Sequence, residues 1–552
     1  MKNIKYIYII ILAAFCLSCE LEKNPYDEIA VEELFEDPAA VETATLGNYA
    51  LLKGSSGFDG WTDDLHRISE YPGDNIALSG GTTDHLFFLY NYQSIVNNSR
   101  VNRFWSNSYK AAVGCNTIIE RITEGESPES DQLLGENYYL RGLIYFQMGN
   151  IFGRPYTQDP SSLSIPLKLT SDTEDRPNRS TVQQVYEQVI DDLKKAEELM
   201  TINKGASFAS KEAAQALLSR VYLYQEDHAN TIAYADQVLE SGTYTLLSTA
   251  DFSIMNTLTP AENNEAIFSV TLNSNSDLLG GSDHWFTPGS MYATIQGVGW
   301  GEMHASRSYL ELLEKNPTDA RRSFIDPQYI IEEGERVPAV FWVNEETYTY
   351  EFRRTQEADG VITFEEEGTV YTVESEEVDG KTVYFFNGSN GRQDVEYDFD
   401  LEKRNGYPKF FITKASLQEE DRHLWSPNVS RLAEMYLNKA EAYAKQGNEQ
   451  LALDNVNVIR ERAGVPTYNL GSLPDGMDIL DVVLEERRLE FAYEGQRRFD
   501  VYRNGRTMDR RYPGTHLNGT NPFFEIPASS PRIVEFIPEQ QIILQPSLTQ
   551  ND

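Results

Sequence analysis

The chain has 552 residues and carries 47 Lys plus Arg against 86 Asp plus Glu, a formal net charge of −39. A polyanion of that size repels nucleic-acid phosphates and anionic lipid headgroups, which excludes partners held by basic patches. Hydrophobic content of 40% is too low for a polytopic membrane protein, and 12% aromatic residues are too many for a disordered chain.

The N-terminus reads as an export signal: Lys2 and Lys5 precede an apolar run over 6–15 that is too short to span a bilayer. Cys16-Leu17-Ser18-Cys19-Glu20 follows and resembles a bacterial lipobox, with small Ser18 before Cys19. The resemblance implies a signal peptide over 1–18 and a mature chain that begins at a lipid-modified Cys19 and is anchored by acyl chains. Glu20 and Glu22 resemble the acidic stretch that routes Bacteroidetes lipoproteins to the cell surface. One cysteine remains for the body, Cys115, so a disulfide framework and a thiolate metal site are excluded there. Its Ala-Ala-Val-Gly neighbours predict a small core residue.

Helical periodicity starts at a cap near Asp37-Pro38 and runs over 38–53. Further helices are predicted over 102–122, 131–152, 182–200 behind a Ser180-Thr181 cap, 211–239 and 431–463. Tyr443 and Ala452, and likewise Tyr224 and Ala233, lie nine residues apart across short polar turns, as in a tetratricopeptide helix pair. From 266 to 411 the composition turns to strands, with Gly turns at Asp359-Gly360, Glu367-Gly368 and Asp379-Gly380 marking a hairpin-rich insert of about 50 residues. The fold class expected is mainly α, a tetratricopeptide-like helix-pair bundle with long loops and a small β-hairpin insert. Helical repeats are expected at about 35–240 and 430–510, with a β-rich ligand-side insert at about 266–411, all in one domain over 19–552.

No nucleophile elbow, His-Glu-x-x-His zinc motif or P-loop occurs, so no catalytic residue, metal ligand or cofactor site is assigned. Asp63, Asp64, Asp74 and Glu302 are the carboxylates best placed for glycoside hydrolysis, and solvated loop acids are the plainer reading. The aromatic loops stand out instead. Trp61, Tyr90, Tyr92, Trp285 and Trp300 fall in segments rich in Gly, Asn, Ser and Asp over 61–98 and 273–301. Sugar rings present C–H faces that stack on Trp and Tyr, so these five are the candidate ligand-binding residues.

Several motifs then resemble one family, the SusD/RagB-like outer-membrane lipoproteins of Bacteroidetes. They are Phe104-Trp105 with Tyr109 and Asn116; Tyr139-Leu140-Arg141-Gly142; Arg431-Leu432-Ala433-Glu434-Met435-Tyr436-Leu437; and Glu485-Glu486-Arg487-Arg488-Leu489-Glu490-Phe491 followed by Glu494-Gly495-Gln496-Arg497-Arg498-Phe499-Asp500. The resemblance covers essentially the whole chain. It implies a lipid-anchored, surface-exposed outer-membrane protein that binds glycan without chemistry and delivers it to a SusC-like TonB-dependent transporter barrel. Peptide capture within the same family is the alternative, and a glycoside hydrolase a more distant one. Read as side chains alone, Arg141, Arg487, Arg488, Arg497 and Arg498 are expected to pair with buried carboxylates such as Glu434 and Glu441.

Overall fold

The computed structural model describes residues 38–54, 60–82, 84–274, 276–277, 279–378, 381–518 and 522–551. The signal segment and the lipidation residue Cys19 lie outside the described residues. Among the described residues no helix is long and apolar enough to cross a membrane.

The N-terminal half is built from α1 (Pro38–Lys53), α2 (Trp61–Glu70), α3 (Ser99–Ile119), α4 (Pro128–Phe152), α5 (Val182–Leu199), α6 (Lys211–Gln225) and α7 (His228–Glu240). Their starts follow from the sequence. Asn98 and Ser127 accept backbone N–H groups ahead of α3 and α4, and Thr181 with Gln184 forms a capping box on α5. The central α4 is apolar nearly all round and is enclosed by its neighbours. Gly135, Gly142 and Gly149 recur on it every seven residues and face α5: a Cβ there would meet Met200 Cγ at 2.6 Å, Leu193 Cδ2 at 3.2 Å and Val185 Cγ1 at 3.0 Å. Glycine lets the two helix backbones approach closely, and Cys115 is buried in the same core.

The C-terminal part supplies α9 (Leu432–Lys445), α10 (Glu449–Arg462), α11 (Ile479–Glu490) and α12 (Arg497–Arg503), after α8 (Arg307–Glu314). The nine-residue Tyr/Ala interval places a buried Ala452 between α9 and α10. In the other pair it fails: Ala233 is exposed on α7, and Ala235, two residues on, takes the buried position.

Short strand pairs tie the halves together. β1 (Ile76–Leu78) pairs with β3 (Met303–Ala305), and β2 (Ala266–Ser269) with β11 (Asn428–Arg431), both antiparallel. The expected hairpin insert is larger than its turns suggested. Strands β4 (Pro338–Asn344), β5 (Thr349–Arg354), β6 (Gln356–Ala358), β7 (Val361–Glu366), β8 (Thr369–Val378), β9 (Lys381–Gly388) and β10 (Gly391–Phe399) form one antiparallel sheet in the order β5-β4-β10-β9-β8-β7-β6. Its two edges are consecutive strands separated by Thr355. One ribbon thus pairs with β4 through its first half and with β7 through its second, and Arg353 of β5 reaches Glu366 of β7. The sheet closes into a small barrel filled by Val340, Phe364, Val373, Phe386 and Val395.

Buried ion pairs join segments distant in sequence. Arg431, at the end of β11, donates to both carboxylate oxygens of Glu494 (2.9 and 2.8 Å) and to Glu490, with Glu265 Oε2 at 3.3 Å. Lys414 Nζ donates to Glu494 (2.6 Å) and to the carbonyls of Glu490 and Ala492. Nearby, Arg487 holds Asp500 and Asn438, and Arg503 bridges Glu441 and Asp500. The expected arginine–carboxylate pairing holds, with Arg487 3.6 Å from Glu441 as expected but other partners elsewhere: Glu434 binds Arg220, Arg141 binds Asp192, Arg497 binds Asp74 and Arg498 binds Glu535.

Burial raises the Glu494 carboxyl, but Arg431 and Lys414 overcome it and hold the group below its usual range; Asp500 is held down in the same way by Arg487 and Arg503. Such groups contribute stability that is present above the unfolded carboxylate pKa of about 4 and is lost as pH falls through the lower folded value. Glu70 runs the other way: burial pushes its carboxyl up to about 7, so its contribution declines as pH rises toward neutrality. Urea unfolding is expected to show stability falling steeply below about pH 4. Arg431→Ala, which strands Glu490 and Glu494, should cost about 3–5 kcal/mol at neutral pH. A loss below about 1 kcal/mol, as for an exposed pair, would refute the assigned role.

Candidate binding site

Three of the five expected ligand residues lie in the interior. Trp61 opens α2 instead of standing on a loop. Its ring stacks on Phe104 at 5.6 Å and its Nε1–H donates to Ser108 Oγ at 2.8 Å. It borders a narrow cavity of about 80 Å³ shared with Trp425 and Gln496, room for a few waters and not for a sugar ring. Tyr90 ends the short helix Leu86–Tyr90, donates to His516 Nδ1 (2.7 Å) and lies under the Arg510 guanidinium. Tyr92 donates to the Pro72 carbonyl and accepts from Tyr502 Oη (2.6 Å). All three are fully or almost fully buried, so none offers a ring face to a ligand. The polar neighbours that suggested an open loop, Asn91 and Asn98, are themselves buried and hydrogen-bonded.

Trp285 and Trp300 behave differently. Their rings meet edge to face, with centroids 5.3 Å apart and planes at 73°, and Trp300 is 51% exposed. Two glycines aim Trp300 outward. A Cβ on Gly299 (φ +108°) would lie 2.2 Å from the Ala293 carbonyl, and one on Gly301 (φ +52°) would lie 2.6 Å from Thr294 Oγ1. The Trp300 N–H donates to the Ser290 carbonyl, while Ser290 Oγ donates to the Trp285 carbonyl, both at 2.6 Å.

Polar groups surround the pair. Arg404 donates to the Trp300 carbonyl (3.0 Å) and pairs with Glu302. Arg422 pairs with Asp283 (2.6 Å) and donates to Gln296 Oε1 (3.1 Å). Arg404, Arg422, Gln296 and Asp283 were not read from the sequence: the two arginines come from loops more than a hundred residues away, and Asp283 and Gln296, though close in sequence, are placed by pairing with Arg422. Beneath them the Nε2–H groups of His423 and His304 donate to the Val298 and Gly301 carbonyls (both 3.1 Å). Burial lowers both imidazoles, His304 to about 4, so they brace the loop as neutral rings. The result is a fixed, solvent-facing aromatic corner rimmed by hydrogen-bonding groups.

The carboxylates considered for hydrolysis are tied up. Asp63 accepts from the Gly60 N–H, Asp64 binds Arg103 through both oxygens, and Glu302 binds Arg404. Burial would raise Asp74, but Arg488 and Arg497 hold its carboxyl well below the usual range, the wrong direction for a general acid at neutral pH. Among the described residues no group of three or more His, Cys, Asp or Glu is arranged to hold a metal ion.

The helical scaffold presents an aromatic corner on braced loops, and comparison with known proteins gives the family. Residues 264–552 match the SusD family model, and residues 63–223 match a second model described as starch-binding associating with outer membrane. The chain belongs to the SusD family, as its motifs implied. It is similar over its length to SusD-like protein P38 of Formosa agariphila, at 24% identity over 94% of each chain. A SusD-like protein of Bacteroides ovatus is 22% identical over 93% of this chain and 83% of its own. Among solved structures, a SusD superfamily protein from Bacteroides thetaiotaomicron superposes with a TM-score of 0.71 at 22% identity, over 95% of this chain and 100% of that one. A SusD-like carbohydrate binding protein from Bacteroides vulgatus superposes at 0.65, with 17% identity over 92% and 97%.

The two kinds of tryptophan separate in a stability measurement. Trp61→Ala should destabilise by about 3–5 kcal/mol in urea unfolding, whereas Trp300→Ala should stay within about 0.5 kcal/mol of wild type. Equal losses would place Trp300 in the core and remove it from the site.

Proposed function

We propose that the protein is a surface lipoprotein that captures glycan at the Trp285–Trp300 corner and hands it to a SusC-like TonB-dependent transporter barrel. In this reading residues 1–18 are the signal, Cys19 carries the acyl chains, and residues 19–552 act as one SusD-like domain whose tetratricopeptide-like helix pairs are the scaffold. The observation that carries the reading is the tryptophan pair, with half-buried Trp285 backing a glycine-positioned, exposed Trp300, in a chain of the SusD family. The starch-binding and outer-membrane description of the second matching model supports it, as does the carbohydrate-binding relative. Trp faces stack on sugar C–H faces, and Arg404, Arg422 and Gln296 supply polar partners for hydroxyls. The ion-paired state of Asp64, Asp74 and Glu302 favours binding over hydrolysis.

Calorimetry against a polysaccharide panel tests the site. Trp300→Ala and Trp285→Ala should each lose about 2 kcal/mol, roughly thirtyfold in affinity, with unchanged circular dichroism. Normal binding by both folded variants moves the site elsewhere. The anchor is tested by metabolic labelling with a palmitate analogue: Cys19→Ala should lose the label and Cys16→Ala retain it. Co-purification from membranes containing both proteins tests the partner, and the complex should persist in moderate salt because both surfaces must desolvate to dock.

A further inference from the structure

A second cleft, of about 660 Å³, opens between the barrel and the helical body, with Trp342 and Tyr348 on the barrel side and Arg488, Arg497 and Asp74 on the other. Arg497 Nε and Nη2 donate to the two oxygens of Asp74, each at 2.8 Å. Arg488 is 3.5 Å from the same carboxylate, and its hydrogen bonds go to neutral acceptors: Asn75 Oδ1 (2.9 Å), the Asp74 carbonyl (3.1 Å) and Ser308 Oγ (3.0 Å). Two guanidinium groups thus share one carboxylate. The Nη1 group of each donates to no described residue.

The cleft as a whole is lined by more acids than arginines, Glu345 and Asp394 among them, so the cationic spot is confined to Arg488 and Arg497. Arg307, across the cleft, faces Glu311, Glu314 and Glu396, and Arg511 at the rim faces Asp509 and Glu525. Those arginines are saturated with carboxylate, whereas Arg488 and Arg497 share Asp74 as their one contacting carboxylate, with side chains only 10% and 18% exposed. Asp500 and Glu70 favour the charged form of Arg497 without contacting it, and Arg488 is the less neutralised of the two. Burial disfavours the charged form of Arg488 and Arg497 adds repulsion, opposed by Asp74 and more weakly by the Tyr512 and Tyr309 hydroxyls. A second anion would complete the balance, because a partly desolvated cation without a full counter-charge is costly and a guanidinium fork suits planar or tetrahedral oxyanions. The cleft is larger than an inorganic ion requires and matches a sugar unit or two.

We infer that this cleft is a second carbohydrate subsite that takes an acidic sugar, whose carboxylate or sulfate half-ester binds the free Nη1 groups of Arg488 and Arg497 beside Tyr348. The inference rests on the glycan-capture reading and adds a charge requirement that the tryptophan corner lacks. In a chain of net charge −39 recognition here is short-ranged: long-range steering is repulsive and is screened beyond about 8 Å at physiological salt.

The test is calorimetry on the mature chain with trigalacturonate, its methyl ester, and inorganic sulfate. Trigalacturonate should bind about tenfold or more tighter than the ester, and sulfate should compete with it. Arg488→Gln should weaken trigalacturonate by about tenfold or more. Since that arginine also braces Asn75, a second variant is needed: Ser308→Asp sets a carboxylate against Arg488 and should block the acidic ligand in a folded protein. Equal binding of acid and ester, or wild-type binding by both variants, overturns the proposal. Sulfate binding without trigalacturonate binding marks an ion site and overturns the carbohydrate subsite. If neutral glycans bind through Trp300 while neither trigalacturonate nor sulfate binds, this inference fails alone. If no glycan of either kind binds, the glycan-capture reading fails with it.

Discussion

Arg431 is enclosed by protein, as are the Glu265, Glu490 and Glu494 carboxylates that face it. A charge removed from water costs several kcal/mol unless its partners are placed well, so these four side chains can coexist only if their backbones converge. They belong to the turn before β2, the end of β11, the end of α11 and the turn before α12. Satisfying one guanidinium therefore docks the last helices against the strand pair that joins the two halves. The constraint propagates. The Gly495 and Tyr493 N–H groups, in the turn that carries Glu494, donate to Glu70 at the end of α2, which ties the N-terminal helices to the same point. A strongly acidic chain thus spends many of its scarce cations inside, where each is held by geometry and little affected by salt.

That allocation bears on recognition. Most arginines that the family motifs supply are consumed in the scaffold, as Arg141, Arg431, Arg487 and Arg498 show. What reaches solvent near the tryptophan corner is already paired, Arg404 with Glu302 and Arg422 with Asp283. A pinned arginine still has donor capacity, and its position is fixed before a ligand arrives, which lowers the entropy lost on binding. The corner is consequently a surface for shape and hydroxyl recognition, with little net field of its own.

Much of the helical scaffold was legible because helix ends carry local chemistry. The Ser180-Thr181 cap was read from neighbours alone, whereas the Ser127-Pro128 start of α4 was missed and its helix begun three residues late, at Asp131. The tryptophans were read less well, because exposure is a property of distant segments. Trp61, Leu65 and Ile68 have helical spacing, but Gly60 and Asp63-Asp64 suggested a loop; in the fold those polar residues cap α2 and bind arginines. Trp285 and Trp300 sit in similar composition, yet Gly299 and Gly301 force Trp300 out. The Tyr/Ala interval failed in one helix pair because Ala233 and Ala235 both suit the pattern, and packing against α6 chooses the latter. Strands of the barrel were visible as alternation and Gly turns. Its closure was not, since nothing local tells that the ribbon around Thr355 pairs on both sides.

The barrel also meets the body in an unusual way. Its first and last strands are neighbours, with Phe399 opposite Pro338, and the Asp400 N–H donates to the Val337 carbonyl just outside them. Some sixty residues therefore leave and rejoin the body through a single doorway one strand-spacing wide. An excursion tied in at one place touches the helices through side chains alone, as where Arg307 of α8 pairs with Glu396 of β10 and Phe352 of β5 packs against the core. The helices therefore have little say in its size. Such a module can lengthen, shrink or be exchanged among descendants of one ancestor while the doorway stays put. One wall of the second cleft is thereby free to diversify at a pace the scaffold could not survive.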